Sequence, residues 1–372
     1  MHPTQELLGG KATKPTLSRP TPWGRFNPNF TMNKHKNDLW KEFISKENFA
    51  RAAAKAVRGR KSKPEVARFL ANADANLEKL RVMVAAGEFR TSPYRTMEIT
   101  DPKKRTIYIL PFYPDRIIHH AIMNIVAPIW ERMFIRDSYA CITGRGLHTA
   151  SRRVMAFARK NTYVLKCDIR KFYPSIDHNI MFAAVARSVG DIRIVAILRD
   201  IIYSAPGPAG GRNLPIGNLC SQWMGNLYLH AFDMFVKSIL GARDYLRYCD
   251  DFCLFSNNRA QLREWRERIR EFLAERLRLT FSRAEIFPIA NGLDFVGYRH
   301  FPDFILLRKR TMKGLKKRML KIGRMGEIPP DQVETIRGAV ASANGWMKYA
   351  CSYNIRKSIG FARLKKKVGI KV

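Results

Sequence analysis

Residues 245–255 read YLRYCDDFCLF, a run of strand-forming residues broken in the middle by two acids. The pattern predicts two short strands joined by an Asp-Asp turn. A second apolar run, YVLKCDI at 163–169, predicts a buried strand ending in an acid, Asp168. Carboxylates at the end of one strand and at the tip of a neighbouring hairpin can converge on one side of a sheet, and hard divalent cations need such oxygen ligands. A pair of ions about 4 Å apart would activate a hydroxyl and stabilise the leaving oxygens of a phosphoryl transfer. Taken singly, Asp250-Asp251 is ordinary turn chemistry, and Asp168 is equally a strand end or a helix cap. The surrounding sequence has to decide.

The chain has 372 residues, with 67 Lys and Arg against 31 Asp and Glu, so its formal charge is +36. That balance belongs to a protein that grips a polyanion. Hydrophobic residues make up 46% and aromatics 11%, which excludes a disordered basic tail and supports a sizeable core. No apolar stretch approaches the roughly 18 residues of a membrane span. The opening MHPTQELLGGKATKP lacks a secretory h-region, so the expectation is a cytoplasmic protein with no membrane partner. Cys141, Cys167, Cys220, Cys249, Cys253 and Cys351 are scattered without a C-x-x-C pair, and read as reduced, mostly buried thiols.

Working outward, residues 1–35 are rich in Pro, Thr, Gly and Asn and read as a flexible arm. From Lys36 to Gly87 the apolar positions Val66, Phe69, Leu70, Leu77, Leu80 and Val84 recur at helical spacing. A strand pair is expected between Phe89 and Pro111, and a long helix over 115–134. Helices are also expected over 175–189, 192–203 and 261–277. Residues 308–324 hold nine bases and no acid, with Met312, Leu315, Met319 and Ile322 at helical spacing opposite them. That reads either as a helix tracking duplex phosphates or as a solvated basic helix. Trp346, Tyr349 and Tyr353 form a stripe better read as bundle core than as a base-stacking surface. His119 and His120 lie in an apolar helix without a ligand partner and carry no catalytic assignment. The whole is a mixed α+β body with a basic helical end.

Six ordered blocks resemble one family. YCDD (248–251) is similar to the Y-x-D-D box of reverse transcriptases, and LKCDIRKFYPSID (165–177) to their first catalytic aspartate motif. ITDPKKRTIYILPFYPDRIIHHAIMNIV (99–126) resembles the fingers segment of the bacterial enzymes. DSYACITGRGLHTA (137–150) resembles the template-contacting segment, and GLDFVGYRH (292–300) the palm-to-thumb junction. LPIGNLCSQ (214–222) is similar to the loop of diversity-generating retroelement enzymes, with Ile216 where most relatives have Gln and Gln222 where they have Pro. A structural reading of that loop stands beside it, with Gly217 supplying an unusual backbone angle and Asn218 capping a helix near Ser221.

The resemblance implies a right-hand polymerase fold, with an antiparallel palm sheet packed on helices and a helical thumb. Its divisions would be fingers over 36–160, palm over 161–304 and thumb over 305–372. It implies Asp168 and Asp250 as principal ligands of two Mg²⁺ ions, the Ile169 carbonyl completing a shell, and Asp251 in support. Lys103, Arg105, Arg170 and Lys171 would neutralise the dNTP triphosphate. Tyr173 would exclude ribonucleotides; its structural reading is an aromatic of the palm core. Ile216, Gly217, Asn218, Ser221 and Gln222 would line the nascent base pair, where an apolar side chain replaces a hydrogen-bonding one and selectivity falls. Arg308, Lys309, Arg310, Lys313, Lys316 and Lys317 would contact nucleic acid.

The implied function is an RNA-directed DNA polymerase that copies a template-repeat RNA into cDNA with errors at adenines. Its implied partners are that RNA, the RNA/cDNA duplex and a pentameric accessory variability protein, in a bacterial or phage-encoded system. Two alternatives stand beside it: a group II intron-like or other bacterial reverse transcriptase of ordinary fidelity, and a non-catalytic RNA-binding protein with a polymerase fold.

Overall fold

The computed structural model describes residues 39–100, 104–207 and 211–370. The arm expected over 1–35, and Lys103, lie outside the described residues. Four helices come first: Leu39–Phe43 (α1), Lys46–Val57 (α2), Pro64–Leu70 (α3) and Ala73–Ala85 (α4). Local chemistry sets their starts. Ser45 Oγ accepts the Asn48 N–H ahead of α2, and Pro64 opens α3, where the first N–H has no helical partner to lose. Val66, Phe69, Leu80 and Val84 are buried as their spacing predicts, whereas Leu70, the last residue of α3, faces outward.

Strands Arg95–Ile99 (β1) and Arg105–Ile109 (β2) pair antiparallel, and a kinked turn at Phe112–Arg116, with Tyr113 extended, leads into Ile117–Met133 (α5). α5 packs on α1 and α2 among its neighbours, and Ile118, Ile122, Ile125 and Val126 are among its buried residues. Leu147–Ala158 (α6) then precedes the central strand, Tyr163–Ile169 (β3). Five helices follow: Phe172–Ser175 (α7), His178–Ser188 (α8), Ile192–Tyr203 (α9), Leu219–Tyr228 (α10) and His230–Met234 (α11). The helix expected to begin at Ser175 begins instead at His178. Ile176 is extended, and the Asp177 carboxylate accepts the Asn179 and Ile180 N–H groups as the cap.

The chain continues through Tyr245–Tyr248 (β4), Asp251–Ser256 (β5), Arg259–Leu277 (α12) and Phe281–Pro288 (β6). These strands and β3 form an antiparallel sheet in the order β4-β5-β3-β6. Both faces are covered, which explains the near-continuous apolar runs. Leu165 and Cys167 face the core shared with α12, whereas Val164, Cys253 and Phe255 face α6. By the two-residue period, Lys166 and Asp168 share the second face.

A three-stranded sheet, Leu293–Phe295 (β7), Tyr298–His300 (β8) and Ile305–Leu307 (β9), leads to the basic end. There Lys309–Arg324 (α13), Val333–Tyr349 (α14), Tyr353–Ser358 (α15) and Phe361–Lys367 (α16) surround a separate core that includes Met319, Ile322, Val340, Met347 and Phe361. Trp346 and Tyr349 pack against Tyr298, as the bundle-core reading expects, but Tyr353 is 75% exposed. The layout is a right-hand polymerase fold. Among the described residues no helix is long and apolar enough to cross a membrane.

Candidate active site

The β4–β5 hairpin is tighter than its sequence suggests. Tyr248 pairs with Asp251, so the two turn residues are Cys249 and Asp250, and Asp251 is already the first residue of β5. Cys249 takes a left-handed φ of 59° to close the turn. Asp251 lies opposite Asp168 across the β3–β5 ladder, and the Ile169 N–H donates to the Asp250 carbonyl at 3.3 Å. The three acids, drawn from two separate stretches, therefore meet at one end of the sheet.

A buried cation holds this hairpin in shape. Arg247 and Asp233 are both fully buried, joined by bonds of 2.8 Å from Nε and 2.5 Å from Nη2. Arg247 Nη1 also donates to Asn226 Oδ1 and to the Cys249 carbonyl, each at 3.0 Å. The guanidinium thus fastens the strained turn to α10 and α11, and Tyr245 adds a 2.6 Å bond to Asp233.

Ser282 of β6 donates to Asp168 Oδ2, and Lys166 Nζ stands 3.4 Å from Asp251 Oδ2. Asp251 Oδ1 is buried without a partner. Burial raises the Asp250 carboxyl above its usual range, reinforced by the Asp168 charge and opposed by Arg105. Burial likewise pushes Asp251 up to about 6, against the pull of Lys166. Among the described residues no three acidic, His or Cys side chains stand together as a group that could hold a metal ion by themselves. An open site is what Mg²⁺ requires here, since it binds one or two carboxylates and takes its remaining oxygens from water and substrate phosphates. The orphaned Asp251 oxygen and the neighbouring carboxylates fit such an ion, and Asp168, Asp250 and Asp251 are the residues that would hold it.

The other expected site residues fall around this end with different degrees of engagement. Arg105 is exposed on β2, near enough for its charge to act on Asp250. Arg170 and Lys171 are exposed just beyond β3; Arg170 N–H donates to the Thr280 carbonyl, and Lys171 takes a left-handed φ of 43°. Tyr173 is half-buried, with its hydroxyl 3.7 Å from Cys249 Sγ, so it packs against the hairpin turn. A Cβ at Gly225 of α10 would stand 3.3 Å from Phe172 and 3.5 Å from Tyr173. These contacts are those of the core-packing reading of Tyr173.

The loop 214–218 docks on β2. Tyr108 N–H donates to the Ile216 carbonyl at 2.9 Å, and a Cβ at Gly217, whose φ is +118°, would come within 2.9 Å of the Tyr108 carbonyl. Gly217 is thus required both by its backbone angle and by the close approach. The expected cap is positional only. Asn218 precedes α10, which begins at Leu219, but its amide donates to Tyr94 Oη at 3.2 Å instead of capping the helix. Ser221 is buried and Gln222 exposed.

On α13, Lys309, Lys313, Lys316 and Lys317 are exposed opposite Met319 and Ile322. Arg310 is also exposed, and Arg308 Nε pairs with Asp294 Oδ2 at 3.5 Å. The cysteines divide evenly: Cys167, Cys220 and Cys253 are buried, Cys249 is intermediate, and Cys141 and Cys351 are exposed, so burial is less general than expected. His119 is held neutral by burial, its pKa lowered to about 3. Lys166, Ser282, Arg247 and Asp233 are the site residues that sequence reasoning missed. A charged residue inside an apolar strand, as in YVLKCDI and YLRY, was the available signal for two of them.

A family model described as reverse transcriptase (RNA-dependent DNA polymerase) matches residues 100–299. Protein YkfC of Escherichia coli (strain K12) is 26% identical over 284 residues, covering 64% of this chain and 73% of that protein. Group II intron-encoded protein LtrA of Lactococcus lactis subsp. cremoris is 22% identical over 173 residues, covering 45% of this chain and 29% of that protein. A solved structure of apo telomerase from Candida tropicalis aligns with a TM-score of 0.48 at 12% identity, covering 75% of this chain and 60% of that one. The chain therefore spans under a third of the intron protein's length and less than two thirds of the telomerase chain's.

Proposed function

The chain belongs to the reverse transcriptase (RNA-dependent DNA polymerase) family, and from that premise we propose that it copies a template-repeat RNA into cDNA with errors at adenines, as the polymerase of a diversity-generating retroelement. The observation that carries the polymerase reading is the meeting of Asp168, Asp250 and Asp251 at one end of the sheet. The retroelement reading rests on LPIGNLCSQ at 214–222.

In this reading Asp168 and Asp250, with the Ile169 carbonyl, hold two Mg²⁺ ions and Asp251 supports them. Bound there, the ions would activate the primer 3′-hydroxyl for attack on the dNTP α-phosphate and stabilise the departing pyrophosphate. Lys103, Arg105, Arg170 and Lys171 neutralise the triphosphate, and Tyr173 stands where a ribose 2′-hydroxyl would clash. Ile216 presents an apolar surface where a hydrogen-bonding side chain would discriminate, which lowers selectivity at the template base. The exposed bases of α13 track the duplex backbone. The divisions would be fingers to residue 160, palm to 304 and thumb beyond. A structured template RNA and a basic pentameric accessory protein are the partners this reading requires.

The likeness to a group II intron-encoded protein favours a second reading, a reverse transcriptase of ordinary fidelity. Primer extension on an RNA template with Mg²⁺ and dNTPs, with the template-repeat RNA and accessory protein added and the cDNA sequenced, separates the two. Asp250→Ala with Asp251→Ala sets the background. Metal-dependent cDNA with errors concentrated opposite adenines is the expected outcome. Accurate cDNA selects the second reading, and product no greater than the double variant's leaves an RNA-binding protein with a polymerase fold.

A further inference from the structure

Lys166 is a lysine in the wrong kind of place. It lies mid-strand in β3, is only 8% exposed, and burying an ammonium is costly unless it is paired and hydrogen-bonded. Its Nζ meets three partners on two other elements. It stands 3.4 Å from Asp251 Oδ2 on β5, donates to the backbone carbonyl of Asp294 on β7, and lies 5.7 Å from the centre of the Phe295 ring. The strand period puts Lys166 and Asp168 on one face, and the register puts Asp251 opposite Asp168 on that same face. Asp294 in turn pairs through Oδ2 with Arg308, the residue before α13, and the Arg308 N–H donates to the Gly297 carbonyl. A single chain of contacts therefore runs from the catalytic hairpin through Lys166 to the foot of the basic helix.

We propose that Lys166 is a positioning residue: it grips one oxygen of Asp251 so that the other faces the reaction centre, and it clamps the catalytic strands onto the β7 strand that seats α13. The proposal rests on the polymerase reading of the acids. The geometry gives the role its direction. With Oδ2 held by the ammonium, Oδ1 is left buried and without a protein partner. Without the clamp the carboxylate can rotate, and ordering it becomes a cost of metal binding. Partners that orient metal ligands from behind typically change metal affinity or activity by about 10–100-fold when lost.

The test uses the full chain with Lys166→Met, Lys166→Gln and Lys166→Arg. The MgCl₂ concentration that half-saturates the thermal-melting shift is measured with no nucleotide or RNA, and steady-state incorporation is then measured on a primed RNA. Lys166→Met and Lys166→Gln are expected to raise the Mg²⁺ midpoint about tenfold and to lower kcat by about 10–100-fold. KM for the primed template should stay within about twofold, since a residue acting on the acids does not bind nucleic acid. Lys166→Arg, which keeps a buried donor and charge, should recover most of both losses.

A folded Lys166→Met or Lys166→Gln protein with the wild-type midpoint and kcat overturns the proposal. So does a lower Mg²⁺ midpoint, which would make Lys166 only a repelling charge, or a loss confined to KM for the template. If Lys166→Met does not melt cooperatively, the comparison of Gln with Arg decides by the same criteria. Should the wild-type protein incorporate nothing even with the template-repeat RNA and accessory protein added, the polymerase reading fails by itself, and the metal-only midpoints still decide whether Lys166 positions Asp251.

Discussion

Arg247 shows how much of this site depends on residues that never meet a substrate. Its guanidinium and the Asp233 carboxylate are both out of contact with solvent, and the same guanidinium supports the Cys249 carbonyl inside the left-handed turn. Stability and function should therefore separate. Arg247→Met leaves a buried carboxylate without its cation and is expected to cost about 3–5 kcal/mol in denaturant unfolding. Adding Asp233→Leu removes the stranded charge and should return most of that stability, because two apolar groups can replace a buried pair at little net cost. The Cys249 carbonyl still lacks its donor in the double variant, so nucleotide incorporation should remain about tenfold or more below wild type. Equal recovery of stability and incorporation would show that Arg247 only fills the core.

The β3 and β4–β5 elements were legible because both faces of the sheet are buried, so apolar runs marked the strands and acids marked their ends. The turn was misread by one residue, since Asp-Asp is favoured turn chemistry but the pairing of Tyr248 with Asp251 is set by register across the hairpin. Long-range partners were illegible for the same reason: nothing near Lys166 in sequence announces Asp251 or Asp294, and nothing near Arg247 announces Asp233. The loop at 214–218 was legible in part. Gly217 has the unusual φ expected of it, whereas Asn218 turns to Tyr94, the residue before β1. Because Ile216 is held through its carbonyl, its side chain can be changed without moving the backbone. Ile216→Gln is accordingly expected to reduce errors opposite template adenines by about tenfold, as hydrogen-bonding sites discriminate more strongly than apolar ones. An unchanged error spectrum in sequenced cDNA would remove the loop from the base-pair role.

At the scale of the molecule, charge and core are arranged by different rules. The apolar residues divide between a large cluster reaching from Leu39 to Leu279, a smaller one under α6 and the hairpins, and a third within α13, α14 and α16. The +36 charge is a property of the whole chain, yet a local part of it can be tested, because α13 turns Met319 and Ile322 inward and leaves Lys313, Lys316 and Lys317 exposed. Each phosphate neutralised releases condensed counterion, and the logarithm of the association constant falls with the logarithm of salt by about 0.7 per contact on a single strand and about 0.9 on B-DNA. Replacing the three lysines by alanine should therefore lower the magnitude of the salt slope for an RNA/DNA duplex by about 2–3. The melting temperature should hardly change, since exposed substitutions away from caps and cores are usually near neutral. Filter binding of the full chain from low to moderate salt reads the slope directly. An unchanged slope would mean that α13 faces solvent, and that the nucleic acid is gripped by basic residues elsewhere on the chain.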